Sequence, residues 1–110
     1  MIVPDADKAV IEPKKITDYC FNPQHAAGKH KARVFANALD LELEHAGELL
    51  AALLDAVRNR QARLGNSNEF GQSYVVDFEM ERERKKATVR PIWIVENAKN
   101  YPRLITCYVL

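Results

Sequence analysis

The segment "HAAGKHKARVF", residues 25–35, places two histidines, two lysines and an arginine in its first nine positions. Imidazole can move a proton near neutral pH, and ammonium and guanidinium groups can hold an anionic substrate. The competing reading is the solvated side of a structural helix. Helical geometry at about 100° per residue separates the members of the cluster. In a helix continuous from Pro23, His25 lies on the side of Ala32, Phe35, Ala36 and Leu39. Lys29 and Lys31 lie at the two margins of that stripe, and His30 points away from it. His25 thus faces either the core, as a hydrogen-bonded histidine, or a cleft beside it. His30 faces water.

The C-terminal segment offers a second group. In an extended strand Leu104, Thr106, Tyr108 and Leu110 share one face, and Ile105, Cys107 and Val109 share the other. The second set is wholly apolar and is expected to face the helices. Thr106 and Tyr108 then lie on the open face, where Thr88 and Arg90 of the preceding strand can join them. An Arg-Thr-Tyr group of this kind suits phosphate oxygens, although open sheet faces carry polar residues by default. Metal chemistry has little support. His25, His30 and His45 are scattered with no i, i+4 pair, and Cys20 and Cys107 have no companion at ligand spacing. No glycine-rich phosphate loop or nucleophile elbow occurs, and no cofactor is implied.

The elements that must position these residues follow from periodicity. Residues 1–12, with Ala9-Val10-Ile11, read as an extended arm or short strand, and Pro13 opens a short helix carrying Ile16, Tyr19 and Cys20. Asn22-Pro23, or else Gly28, starts a second helix with the stripe Ala32, Phe35, Ala36, Leu39 and Leu43. A third helix is expected over 46–64, striped by Ala46, Leu49, Leu50, Leu53, Ala56 and Val57. Arg58, Arg60 and Arg63 complement its carbonyl end, and Gly65 sits just past it. Beyond Gly65-Asn66-Ser67-Asn68 the pattern alternates. Tyr74, Val76, Phe78 and Met80 oppose Ser73, Asp77, Glu79 and Glu81. A charged tip at Arg82–Lys86 leads to a second strand, about Ala87–Val95, and a third from Arg103 onward. The expectation is an α+β domain, with N-terminal helices packed on one face of a small antiparallel sheet of three or four strands. Pro91 falls inside the second strand, where it lacks a ladder donor, so an edge, bulge or break is expected at Arg90-Pro91.

Length and composition bound the rest. The 110 residues suit one domain spanning 1–110, and 47% hydrophobic with 28% charged residues is ordinary for a globular chain. A net charge of +1 gives no general pull toward nucleic acid, so any such affinity must come from a local patch. Neither a secretory signal nor an apolar run near the ~20 residues of a bilayer span occurs. A cytoplasmic protein with reduced thiols and no membrane partner is expected.

Several pieces, in order, also carry a resemblance: Pro4-x-Ala6, Ile16-x-x-Tyr19, His25-x-x-Gly28-x-x-Lys31-Ala32-x-x-Phe35, Phe70-Gly71, Trp93 and Pro102-Arg103-Leu104-x-Thr106. Over nearly its whole length the chain resembles an uncharacterised family of small bacterial domains, found alone or at the ends of toxin-like proteins. Its layout is similar to that of the barnase-like, colicin-like and RelE-type ribonuclease toxins. Those enzymes cleave RNA without metal, using His, Lys or Arg, and Thr or Tyr. The resemblance implies His25 as base or acid, Lys31 or Arg90 as charge stabiliser, and Thr106 or Tyr108 as phosphate ligand. Lys29, Tyr108 and Arg103 are the implied substrate contacts, with RNA and a cognate neutralising protein as partners. The alternative is a non-catalytic partner-binding module, antitoxin-like, immunity-like or adaptor, which predicts an exposed apolar or edge-strand surface.

Overall fold

The computed structural model describes residues 1–20 and 29–110, with 18–20 and 29–30 described by their backbone. In chain order it contains a 3-10 turn at Ala6–Lys8, a π-helical segment at Lys15–Cys20 and helix α1 at Lys29–Leu39. A 3-10 turn at Leu43–His45 and helix α2 at Ala46–Asn59 come next. Five strands complete it: β1 (Arg63–Asn68), β2 (Gly71–Val75), β3 (Phe78–Arg82), β4 (Lys85–Glu96) and β5 (Pro102–Val109). The class is α+β with an antiparallel sheet, of five strands where the sequence suggests three or four.

The sheet is organised around β4. Along one side of β4, β2 pairs with Gly71↔Glu96 through Val75↔Ile92, and β3 pairs with Phe78↔Val89 through Arg82↔Lys85. The two lie end to end where the sequence reads as one strand. β5 pairs along the other side of β4, and β1 extends the sheet beyond β2. The interruption between β2 and β3 has an identifiable cause. The Pro91 carbonyl accepts from the Val76 amide at 3.3 Å, so Pro91 turns its backbone groups toward β2 and β3. Its missing N–H leaves the ladder incomplete on that side, and pairing lapses at Val76-Asp77. The edge, bulge or break expected at Arg90-Pro91 is absent: β4 runs unbroken through both residues, which pair with Tyr108 and Cys107, and only the facing pairing at Val76-Asp77 lapses.

Two readings of the helices are corrected. Helix α2 ends at Asn59, not at 64, and Arg60 is extended with ψ 155°. The apolar stripe lapses after Val57, because Arg60 and Gln61 take the next inward positions. Asn59 Nδ2 also caps the Asp55 carbonyl at 3.0 Å. Gly65 is thus not a helix cap. It lies in β1, where a Cβ would come within 2.7 Å of Ser73 Oγ. Helix α1 likewise stops before Leu43, since Asp40 turns left-handed at φ 54° and Leu43 is exposed.

The alternation on β5 also changes. Ile92 pairs with Thr106 but Trp93 pairs with Leu104, so Ile105 is an extra, bulged residue. The bulge moves Leu104 from the face of Thr106 to that of Cys107, and both are buried. Elsewhere alternation holds. Tyr74, Val76, Phe78 and Met80 enter one buried cluster with Val89, Trp93, Leu104 and Cys107, joined by Phe35, Leu39, Leu49, Leu53, Ala56 and Val57 of the helices. Cys107 lies in this core, fully buried. The N-terminal arm adds Val3 and Ala6 to the core and then bridges β5. There the Val10 amide donates to the Pro102 carbonyl (2.9 Å), and the Leu104 amide to the Val10 carbonyl (3.1 Å).

Polar ties fix the helices to the β3–β4 hairpin. Arg82 grips Glu48 of α2 through two nitrogens, at 2.9 and 3.1 Å, and donates to the Asp40 carbonyl at 3.0 Å. Lys85 donates to the Asp40 carboxylate and the Asn37 carbonyl, both at 3.1 Å. The hairpin turns through Glu83 and Arg84, both with positive φ, a geometry whose twist matches that of the flanking strands.

Packing at two points sets a stability test. Trp93 is fully buried, and Trp93→Ala is expected to cost about 3–5 kcal/mol in chemical denaturation. At Gly71 a Cβ would lie 2.3 Å from the Val95 carbonyl oxygen, so Gly71→Ala should cost about 1–3 kcal/mol by forcing β2 off β4. Wild-type stability in the Gly71 variant would contradict this register.

Candidate functional site

The face of β4 and β5 opposite the buried cluster follows from the register. Arg90 stands across from Tyr108 and Ile92 across from Thr106, and directly paired residues share a face. Thr106 and Tyr108, two apart, are neighbours on it. The N-terminal part of α1 brings Lys31 to the same place, where its ammonium donates to the Thr106 hydroxyl. Lys31 Nζ also lies 6.0 Å from the centre of the Tyr108 ring, within cation–π range. Lys31, Thr106 and Tyr108 are all half-buried, so the group is formed by packing and remains open to solvent.

The cluster continues across the sheet through an ion pair. Arg90 Nε donates to Asp77 Oδ1 at 2.8 Å and Arg90 Nη2 to Asp77 Oδ2 at 2.7 Å, a two-point guanidinium–carboxylate contact. Arg63 of β1 adds a third donor to Asp77 at 3.1 Å. The side chains of Asp77 and Arg90 keep only 26% and 27% of their exposure, whereas Arg63 keeps 54%, so the Arg90 contact is the better shielded of the two. These partners hold the Asp77 carboxyl below the ordinary carboxylate range. The Arg90 hydrogen bonds dominate, desolvation opposes them, and Arg63 contributes less. Arg90 is raised above its ordinary value, first by Asp77, with the Tyr108 hydroxyl adding to the effect. One connected group thus runs Arg63–Asp77–Arg90–Tyr108–Thr106–Lys31 across β1, the β2–β3 break, β4, β5 and α1.

The structure therefore brings together four of the residues singled out from sequence: Lys31, Arg90, Thr106 and Tyr108. Arg103 lies apart from the group in an ion pair with Glu96 at 3.0 Å. His25 lies outside the described residues, as does the Lys29 side chain. Two members were missed. Arg63 reads from sequence as a helix-end cation, and only the lapse of the stripe at Arg60-Gln61 signals that the helix has ended before it. Asp77 reads as one of several acids on a polar strand face. Its signal lay in strand pairing: β2 and β3 keep one register along β4, which sets Asp77 directly across from Arg90.

Among the described residues, no group of three or more His, Cys, Asp or Glu is placed to hold a metal ion. No described helix is long and apolar enough to cross a membrane. The chain belongs to the family described as domain of unknown function DUF6883, whose model matches residues 2–110. No curated protein and no solved structure matches the chain.

The Asp77 contacts make a pH-dependent contribution of definite sign. A carboxyl whose folded value is depressed stabilises the fold above its unfolded value, ~3.9, and loses that contribution as pH falls through the folded value. Asp77→Asn is expected to lower stability by on the order of 1 kcal/mol at neutral pH. In denaturant titrations the gap between wild type and variant should close in acid. A gap of constant size down to the acid limit would contradict the assignment.

Proposed function

We propose that the chain is a small metal-independent ribonuclease-like domain of the toxin type, acting in the bacterial cytoplasm. The observation that carries this reading is the contact between Lys31 and Thr106, 75 residues apart in sequence, beside Tyr108 and Arg90. An ammonium, two hydroxyls and a guanidinium grouped at one half-buried place are the donors a phosphodiester needs.

Cleavage would proceed by attack of the ribose 2′-oxygen on phosphorus. A base takes the 2′-hydroxyl proton as the new O–P bond forms. The 5′-oxygen then leaves with a proton from an acid, and a 2′,3′-cyclic phosphate results. Lys31 answers the charge that builds on the non-bridging oxygens. Thr106 and Tyr108 hold those oxygens by hydroxyl donation. Arg90, oriented by Asp77, adds positive potential at the same place. His25 is assigned the proton transfer on the strength of the family resemblance.

The reading has a direct test. Purified protein, with a chelator present, should cleave an RNA oligomer and leave DNA of the same sequence intact. Lys31→Ala and His25→Ala should each slow cleavage by about 100-fold or more while melting as cooperatively as wild type. Folded wild-type protein that leaves RNA intact overturns the assignment.

One observation favours a second reading, a partner-binding module. β1 is exposed along its whole length, and Leu64 and Phe70 beside its hairpin are 61% and 64% exposed. Growth separates the two. A ribonuclease arrests cells as wild type and spares them as Lys31→Ala, whereas a binding module leaves both cultures growing alike.

A further inference from the structure

We infer that the Arg63–Asp77–Arg90–Tyr108–Thr106–Lys31 group is a binding track for the backbone of a single-stranded polynucleotide, contacting more than one phosphate. The inference rests on the phosphate-contact half of the reading above and adds its substrate class: a polymer, not a mononucleotide or an isolated phosphate.

Charge is the first support. The whole chain carries a net charge of only +1, yet this group holds three cations and one carboxylate. The group thus has a local excess of two positive charges, as a polyanion contact requires. At the β3 end of the same face Glu79 is paired with Lys86 and Glu81 stands exposed. Their arrangement is the second. Adjacent strands are ~4.8 Å apart, and three spacings separate β1 from β5, so the track runs about 14 Å across the strands. One phosphate at Lys31 and Thr106 would leave Arg63 at the far end unused. A chain of successive phosphates would reach it.

Asp77 provides the third support. It accepts from Arg63 and Arg90 together and so gives the two guanidinium groups one fixed relative position. Arg63 uses a single nitrogen on Asp77 and is the most exposed member of the three, and among the described residues its other N–H groups meet no acceptor, so they can meet an incoming phosphate. Tyr108 adds an aromatic ring beside the cations, where a base can stack.

Fluorescence anisotropy with labelled oligodeoxyribonucleotides tests the track apart from cleavage, because these lack the 2′-hydroxyl that cleavage needs. For wild type, affinity should climb with length from about two to about eight nucleotides and then level off. Arg63→Ala should lower affinity for the longest oligomer roughly tenfold, with a smaller effect on the shortest. It should also reduce the salt slope of log K by roughly 0.7, the value for one lost contact to a single strand. Lys99→Ala removes the same charge from the β4–β5 loop, away from the track, and should change neither quantity. Affinity independent of length overturns the inference, as does an equal response to Arg63→Ala and Lys99→Ala. Failure of RNA cleavage with this binding pattern intact would remove the ribonuclease reading and leave the track standing.

Discussion

The clasp between Asp77 and Arg90 is the interaction on which the polar face depends. β2 and β3 keep one register along β4, so Asp77 stands directly across from Arg90 while Val76 turns into the core on the other face. Pro91 lacks the amide that would complete the ladder to Val76, but its carbonyl still accepts from the Val76 amide and the register holds. Asp77 meets Arg90 at two points and Arg63 of the strand beyond at a third. One carboxylate thereby ties three ranks of the sheet together.

Helix α1 is held at both ends by groups of the same sheet. At its C-terminal end Arg82 and Lys85 collect the Leu39, Asp40 and Asn37 carbonyls and the Asp40 carboxylate. Near its start Lys31 is bound to Thr106. Between these points Phe35 and Leu39 are fully buried, so the helix is located by packing and oriented by its polar ends. Lys31 therefore reaches Thr106 from a fixed base, which matters for a group that must meet charge at a defined place.

Much of this was visible in the order of residue types, and the exceptions share a cause. The stripe Phe35–Leu39 and the alternation Tyr74, Val76, Phe78, Met80 are periodic over enough residues that only one element fits each. Pro91 announced a missing ladder donor, but not that β4 would continue through it. Strand β1 was hidden because Arg63–Asn68 is exposed at every position and shows no alternation to read. The β5 bulge was hidden for the opposite reason. Leu104–Val109 alternates well as a regular strand, and the extra residue reflects how β5 meets Trp93, which no local pattern encodes. Lys31, Thr106, Arg90 and Tyr108 could be selected by type and face, but the Asp77 clasp needed the sheet order, a long-range fact.

The core has a further consequence for how the chain is made. Its helical half, Phe35, Leu39, Leu49, Leu53 and Val57, precedes in sequence the wall it packs on, which is supplied by Val89, Trp93, Leu104 and Cys107. During synthesis the apolar faces of α1 and α2 emerge with nothing to cover them, and β4 must appear before any neighbour except β1–β2 can pair. Closure is therefore late: the core is complete only once β5 has paired with β4.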